Sequence, residues 1–526
     1  MTSSIILTAA RPWIWAILTG FLLTLCFPPS PLGPLSFVCL VPLGLALEAS
    51  RGAGWRTRAH AGMRAGFLAG LAFFGSTLYW ILFLPKDNLT YPPILIPALL
   101  LMVSYLSIYP ALFGAGYALV RPAFGPVISL PVMWIAAEYL RSQGELGFPW
   151  ESLGYSLYGQ PVLIQGAAFA GMWGVGLWVA AANACALKAA LSRGRAARSL
   201  WMSVLAALIV AGYVQGRTAM RGEERAQGVR AALIQPNVPV EIKWDPDRKA
   251  EIVDRLIRLT REAPGPLDLV VWPETAVPSL LLRDPPSLSA VRDIAMEKGV
   301  PIVTGFPHYE RSEDGEMRSY NSALVVMPDG RLSRRYDKIH LVPFSERFPF
   351  QNVIPFIGSV NFGQSDFTPG REYVIFETPA GKFGVLICFE SLFPEISRRF
   401  VLRGADFLLN ITNDAWFGRS QAPMQHASMA VFRAVEHRIG IGRAANTGIT
   451  MFIDRHGRIS QKTELFTERL VVGSIDRRGS PTFYTRHGDF AAWACAFAAA
   501  LLLAGTAVKG GRAKRSGGSA ISSGGS

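Results

Sequence analysis

Three short stretches of this 526-residue chain carry side chains able to do covalent chemistry together. One apolar run, residues 267–272, ends in Pro273-Glu274-Thr275, and another, 383–387, ends in Cys388-Phe389-Glu390. Between them Tyr336-Asp337-Lys338-Ile339-His340 leads to Leu341-Val342-Pro343-Phe344-Ser345-Glu346. A thiol, a carboxylate and an ammonium suffice for acyl chemistry through a covalent intermediate. The thiolate attacks a carbonyl, the carboxylate takes and returns protons, and the ammonium favours the thiolate and stabilises the oxyanion. The charges compete at sulfur, because a nearby cation lowers a thiol pKa from about 8.5 and an ionised carboxylate raises it. Cys26, Cys39, Cys185 and Cys495 lie inside apolar runs, where a thiol acts as a small hydrophobe, whereas Cys388 lies in polar sequence.

Groups at the ends of apolar runs need a sheet behind them. Residues 231–234, 267–272, 302–305, 322–327, 383–387 and 407–411 are short, β-rich and bounded by Gly, Pro, Asn or Asp, which predicts strands. Between several of them lie helical faces: Ile252, Val253, Leu256 and Ile257, then Val291, Ile294 and Ala295, then Met429, Phe432, Ala434 and Val435. Residues 228–483 therefore predict a layered α/β domain with its chemistry at strand ends.

The rest of the chain has a different character. Half of all residues are hydrophobic, 17% are charged and the mean hydropathy is +0.27. Eight apolar stretches, 13–27, 35–47, 65–84, 94–120, 126–139, 162–187, 200–214 and 490–508, predict membrane spans at roughly 20 residues each. Proline in or beside the second and fifth is tolerable among neighbouring helices. Alternate connections are basic: Arg11, then Arg51, Arg56, Arg58 and Arg64, then Arg121, then Lys188, Arg193, Arg195 and Arg198, and finally Lys509, Arg512, Lys514 and Arg515. The intervening short loops hold only Lys86 and Arg141. The positive-inside rule then puts both termini in the cytoplasm and the α/β domain outside.

The expected division is a seven-span membrane domain at 1–217, an outside domain at 228–483, an eighth span at 490–508 and a basic, Gly/Ser-rich cytoplasmic tail at 509–526. The first span reads as uncleaved, since no small-residue cleavage motif follows it. The net charge of +14 is then mainly topological, and nucleic acid is set aside as a partner.

An unpaired thiol in an oxidising compartment needs a reason, and nucleophilic catalysis is one. The spans hold almost no ionisable groups, unlike those of ion and polar-solute carriers, which argues against a transporter or receptor with a sensing domain. A membrane-tethered amidase would need one span rather than eight. There is no CxxC, no HExxH and no Gly-rich phosphate cradle, and the seven histidines are scattered, so no metal and no cofactor are expected.

The segments WPETAVP (272–278), YDKIHLVPFSERFP (336–349) and GVLICFESLFPE (384–395), in that order, resemble the nitrilase superfamily of carbon-nitrogen hydrolases with its Glu-Lys-Cys triad. With the spans around them, the whole chain resembles the apolipoprotein N-acyltransferase family of the bacterial inner membrane. Further matching segments are GFPWESLGYS (147–156), IQPNVPVEIKWDP (234–246), YNSALVV (320–326), ITNDAWFG (411–418), Gln425-His426 and NTGIT (446–450).

The resemblance implies a polytopic α-helical membrane domain plus a four-layer αββα nitrilase-like domain on the periplasmic side. It also implies two half-reactions. Cys388 takes the sn-1 acyl chain of a phospholipid, typically phosphatidylethanolamine, as a thioester, and the N-terminal α-amine of a diacylglyceryl-modified apolipoprotein then accepts it, completing lipoprotein maturation. On matching positions Glu274 is the general base and acid, Lys338 the oxyanion donor and Cys388 the nucleophile. Glu346 orients the lysine, Glu390 supports the site, and Trp244 and Trp416 handle substrate. His426 and His437 read as structural or helix-surface residues. Phe389 stands where this family often has Tyr, so it is left out of the catalytic set. A site docked against the bilayer would receive acyl donors while keeping water from the thioester, with apolar loops near Trp416 and Phe348 as its mouth.

Overall fold

Apolar sequence without a nearby breaker becomes helix throughout the first part of the chain. The computed structural model describes residues 11–84, 92–221, 228–312, 315–350 and 366–518. Lys86, the side chains of Lys509, Arg512, Lys514 and Arg515, and residues 519–526 lie outside that description.

All eight apolar stretches are helical, in Pro12–Leu25, Val41–Glu48 with the preceding turn Gly33–Phe37, Trp55–Thr77, Leu95–Arg141, Ala167–Leu191, Arg195–Ala219 and Phe490–Gly518. Among the described residues five helices are long and apolar enough to cross a membrane, and Pro12–Leu25 and Gly33–Glu48 are shorter. Leu95–Arg141 holds the fourth and fifth stretches together in 47 residues. At 1.5 Å per residue that is about 70 Å, more than twice a hydrocarbon core of about 30 Å. The helix breaks at Gly125, whose φ of 73° and ψ of 169° suit glycine, just before Pro126.

The helices reach further into the basic connections than the hydropathy pattern suggests. Arg56, Arg58 and Arg64 lie within Trp55–Thr77, and Arg195 and Arg198 within Arg195–Ala219. Arg141 is buried, donating to the Trp150 carbonyl at 2.8 Å and to Ser152 Oγ at 3.1 Å, so it holds a loop rather than facing solvent.

Beyond residue 228 the chain forms two sheets. The first contains β1 (Val229–Gln235), β2 (Leu269–Val271), β3 (Ile302–Arg311), β4 (Met317–Val326), β5 (Tyr336–Asp337) and β12 (Arg469–Ile475), in the order β12-β1-β2-β3-β4-β5. The second contains β6 (Phe376–Thr378), β7 (Gly381–Ile387), β8 (Phe407–Thr412), β9 (Ile441–Ala445), β10 (Met451–Ile453) and β11 (Ile459–Ser460), in the order β11-β10-β9-β8-β7-β6. The central trios β1-β2-β3 and β7-β8-β9 are parallel, with antiparallel neighbours outside them.

Period-two alternation builds the layers. Ala232, Ile234, Val270 and Trp272 share a core with Leu256 and Ile294 of helices Lys249–Glu262 and Pro285–Lys298. Ala231, Leu233, Leu269 and Val271 join the core of the second sheet, including Val385, Leu409 and Ile441. Helices Pro394–Leu402 and Ala422–His437 cover that sheet's outer face, which completes the expected four layers.

Helix Ala422–His437 is buried almost all round because the membrane half lies on its far side. Tyr155 meets Phe432 edge-on at 5.0 Å, Trp150 Nε1 donates to Gln425 Oε1 at 2.9 Å, and the Met172 amide donates to Glu436 Oε1 at 2.9 Å.

Candidate active site

The carboxyl ends of the parallel strands meet in one place, as the general rule for α/β sheets anticipates. Glu274 leaves β2 two residues after Trp272 and is 6% exposed. Its Oε1 accepts from Asn321 Nδ2 at 2.7 Å and its Oε2 from the Asn413 amide at 2.8 Å. Gly305 on β3 admits this turn: a Cβ there would lie 2.7 Å from the Thr275 nitrogen and 2.9 Å from the Glu274 Cα.

Lys338 follows β5 and is 1% exposed. Its Nζ donates to Glu346 Oε1 at 2.8 Å and lies 3.7 Å from Glu274 Oε1. Burial alone would favour loss of its proton, but Glu346 and Glu274 outweigh that and hold the pKa above the usual lysine range. Glu346 is itself fixed, accepting from the Val342 amide at 2.8 Å and from Asn321 Nδ2 at 3.1 Å. Asn321 thus bridges the two carboxylates beside the ammonium.

Cys388 ends β7 at a sharp corner with φ of 51°, a conformation a non-glycine residue adopts under constraint. Glu390 supplies much of that constraint. It is fully buried, with Oε2 accepting from the Ile387 amide at 2.8 Å and Oε1 from Tyr336 Oη at 2.8 Å and the Ile339 amide at 2.7 Å. The corner bearing the thiol and the loop bearing the ammonium are thereby tied through one carboxylate. Burial pushes the Cys388 thiol up, Glu274 adds to that, and Lys338 opposes it. The balance of these influences favours the neutral thiol.

Behind the corner His426 Nε2 lies 3.0 Å from the Cys388 carbonyl and its Nδ1 lies 2.9 Å from Asp414 Oδ1. Arg443 pairs with Asp414 Oδ2 at 2.9 Å. Burial would raise the Asp414 pKa, but Arg443 and His426 outweigh it and hold the carboxyl below its usual range. His426, read from sequence as a structural or helix-surface residue, is buried rather than on a surface. His437 is also buried, between Ser397 Oγ at 3.1 Å and Thr485 Oγ1 at 2.8 Å.

The two tryptophans stand apart from the buried groups. Trp244 follows the turn Val240–Lys243 and is 49% exposed, and Trp416 is half-buried on the turn Asp414–Phe417. Sequence reading passed over Asn321, Asn413, Asn446, Arg443 and Lys243. Asn321, Asn413, Asn446 and Lys243 lay inside the matching segments, and that was their available signal.

Residues 230–480 match the carbon-nitrogen hydrolase family, and residues 19–185 match the apolipoprotein N-acyltransferase N-terminal domain. The apolipoprotein N-acyltransferase of Geobacter metallireducens is 40% identical over 508 residues, covering 94% of this chain and 95% of that protein. Its counterpart from Rhodopseudomonas palustris is 33% identical over 510 residues, covering 91% and 93%. Nit3 of Saccharomyces cerevisiae, a solved member of the nitrilase superfamily, is 21% identical, with 48% of this chain and 92% of that one covered and a TM-score of 0.37. The chain thus joins a nitrilase-fold domain to a helical region of membrane type. It belongs to the apolipoprotein N-acyltransferase family, and it is a membrane acyltransferase of lipoprotein maturation.

Proposed function

We propose that acyl transfer runs through a thioester on Cys388, with a phospholipid such as phosphatidylethanolamine as donor and the N-terminal α-amine of a diacylglyceryl-cysteine as acceptor. The observation that carries this reading is the convergence of three strand ends, which sets a constrained thiol beside a buried carboxylate and a buried ammonium.

In the first half-reaction Glu274 accepts the thiol proton as sulfur attacks the sn-1 carbonyl, and the oxyanion forms beside Lys338. Collapse breaks the ester C–O bond. Glu274 returns the proton to the departing oxygen, and a lysophospholipid leaves. In the second, the neutral α-amine attacks the thioester, Glu274 takes its proton, and sulfur departs and is reprotonated. The amide is the product. Glu346 fixes Lys338, Glu390 fixes the corner, and Trp244 and Trp416 meet the substrates at the rim. Residues 1–217 supply seven spans and 490–508 the eighth in the inner membrane, with 228–483 in the periplasm, both termini and the tail from 509 in the cytoplasm.

The test is intact-protein mass spectrometry after incubation with a defined phosphatidylethanolamine, in parallel with Cys388→Ala. One added acyl mass on the wild type alone, lost on adding a diacylated lipopeptide, is the expected result. No adduct, with turnover of small amides instead, would overturn the reading in favour of a hydrolase.

A further inference from the structure

Lys243 is 2% exposed while its neighbour Trp244 is 49% exposed, so the chain turns its cation inward where the indole turns out. The placement is enforced. Asn446 holds both backbone groups of Val238, accepting from its amide at 2.9 Å and donating to its carbonyl at 2.8 Å. The same Asn446 amide donates to Asn413 Oδ1 at 2.9 Å, and Asn413 donates through its backbone to Glu274.

An ammonium carries three N–H donors, and burying it without partners is unfavourable. Among the described residues the only acceptor for Lys243 Nζ is the Glu274 carbonyl oxygen at 3.3 Å, and it forms no ion pair there. Lys338, by contrast, is committed to Glu346 at 2.8 Å. Burial pulls the Lys243 pKa down to about 8, while the charges of Glu274 and Cys388 work the other way, so all three groups share one electrostatic environment.

Charge counting shows what is missing. Once the thiol proton sits on Glu274, the thiolate and Glu346 face Lys338 alone, a net charge of minus one in a buried site. Asp414, the other carboxylate acting on Cys388, is matched by Arg443.

We propose that Lys243 is a second catalytic cation, whose uncommitted N–H groups and charge stabilise the negative charge that passes from the Cys388 sulfur to the acyl oxygen. This rests on Cys388 being the nucleophile. It adds to the triad a donor from the segment that also presents Trp244.

The test uses the full-length enzyme in nanodiscs. Alkylation of Cys388 by iodoacetamide is followed by intact mass across roughly pH 6 to 10, for wild type, Lys243→Met, Lys243→Gln and Lys243→Arg, with Cys388→Ala as the background. The Met and Gln variants are expected to alkylate about tenfold more slowly near pH 8, with the profile moved up by about one unit. The Arg variant keeps the charge but not the shape, and is expected to recover part of the rate lost in Met and Gln. With phospholipid, Met and Gln lower kcat and leave KM for the donor near its wild-type value.

Unchanged alkylation profiles in folded Met and Gln variants would overturn the proposal. So would loss of folded protein in all three variants, which would make Lys243 a structural residue. Label that persists in Cys388→Ala would instead point away from Cys388 itself, a different failure.

Discussion

Lys338 and Glu346 show how much of the candidate chemistry rests on one buried pair. Both are nearly solvent-free, and their 2.8 Å contact keeps the ammonium charged against its burial. Removing one partner of such a pair strands the other, at about 3–5 kcal/mol. Glu346→Gln is therefore expected to lower the melting temperature and to slow acyl-adduct formation at least about a hundredfold, two decades being about 2.7 kcal/mol of barrier. An adduct time course matching wild type would remove Glu346 from the site's support. Lys338→Arg is expected to give no adduct, because a planar fork does not fit a cavity shaped for a point charge. Near-native turnover there would end the oxyanion role of Lys338.

Glu390 adds a pH dependence. Burial pushes it up to about 7 despite hydrogen bonds from Ile387, Tyr336 and Ile339. A carboxyl whose folded pKa is raised binds more protons folded than unfolded between its ordinary value of about 4.3 and the raised one. Its contribution to stability is then complete below the ordinary value and lost as pH climbs through the folded one. Relative to Glu390→Gln, which cannot titrate, wild-type protein should lose up to about 3 kcal/mol of stability between about pH 5 and 8. Melting curves of the two proteins across that range give the answer, and parallel curves would mean that the hydrogen bonds keep Glu390 ionised throughout.

At the scale of elements, what the sequence revealed followed burial. The six runs read as strands became β1, β2, β3, β4, β7 and β8, which are apolar over much of their length because both faces are covered. β9 escaped because Ile441–Ala445 contains Arg443, whose guanidinium is tolerable only once Asp414 and Asn410 fold against it. β5, β6, β10 and β11 are two or three residues long, too short for alternation to register.

The candidate reactive residues were legible as residue types at strand exits, and the roles proposed for them came from the resemblance. Asn413 and Asn446, each just past a strand, read as turn chemistry until their partners are known, and Asn321, inside β4, showed only through its matching segment. Lys243 was hidden by the ordinary expectation that lysine is exposed. The close passage of the Glu274 turn over β3 yields a prediction at this scale. Gly305→Ala puts a carbon against backbone atoms that cannot swing aside, so it should cost about 1–3 kcal/mol of stability and displace Glu274. Adduct formation should fall more than tenfold, and a fully active Gly305→Ala enzyme would show that the turn has slack.

The whole molecule divides the work between a rigid back and an apolar front. At the back, Trp150 of the membrane half stacks over His426 at 6.0 Å and bonds Gln425, so the helix behind the thiol is clamped between sheet and membrane half. At the front, the loop carrying Glu346 reaches the membrane half through the Phe350 amide, which donates to Glu145 Oε2 at 2.6 Å. Phe348, the residue the sequence pointed to, is partly buried against Phe344. Exposed rings there include Phe344 at 56%, Phe83 at 54%, Trp244 at 49% and Phe350 at 43%, and Phe83 lies against Gly418 beside the Trp416 turn.

Aromatic rings left in the open beside a membrane half gain by contact with lipid, about 1.5–3 kcal/mol for each phenylalanine side chain fully buried. Phe344→Ser and Phe83→Ser are therefore expected to slow acyl-adduct formation from phospholipid vesicles by about tenfold or more, 1.4 kcal/mol being one decade. Iodoacetamide alkylation of Cys388 and the melting temperature should stay as in wild type, because neither ring belongs to the buried core. Slower alkylation would place the rings in the chemistry rather than at the mouth, and unchanged vesicle turnover would mean that lipid enters elsewhere.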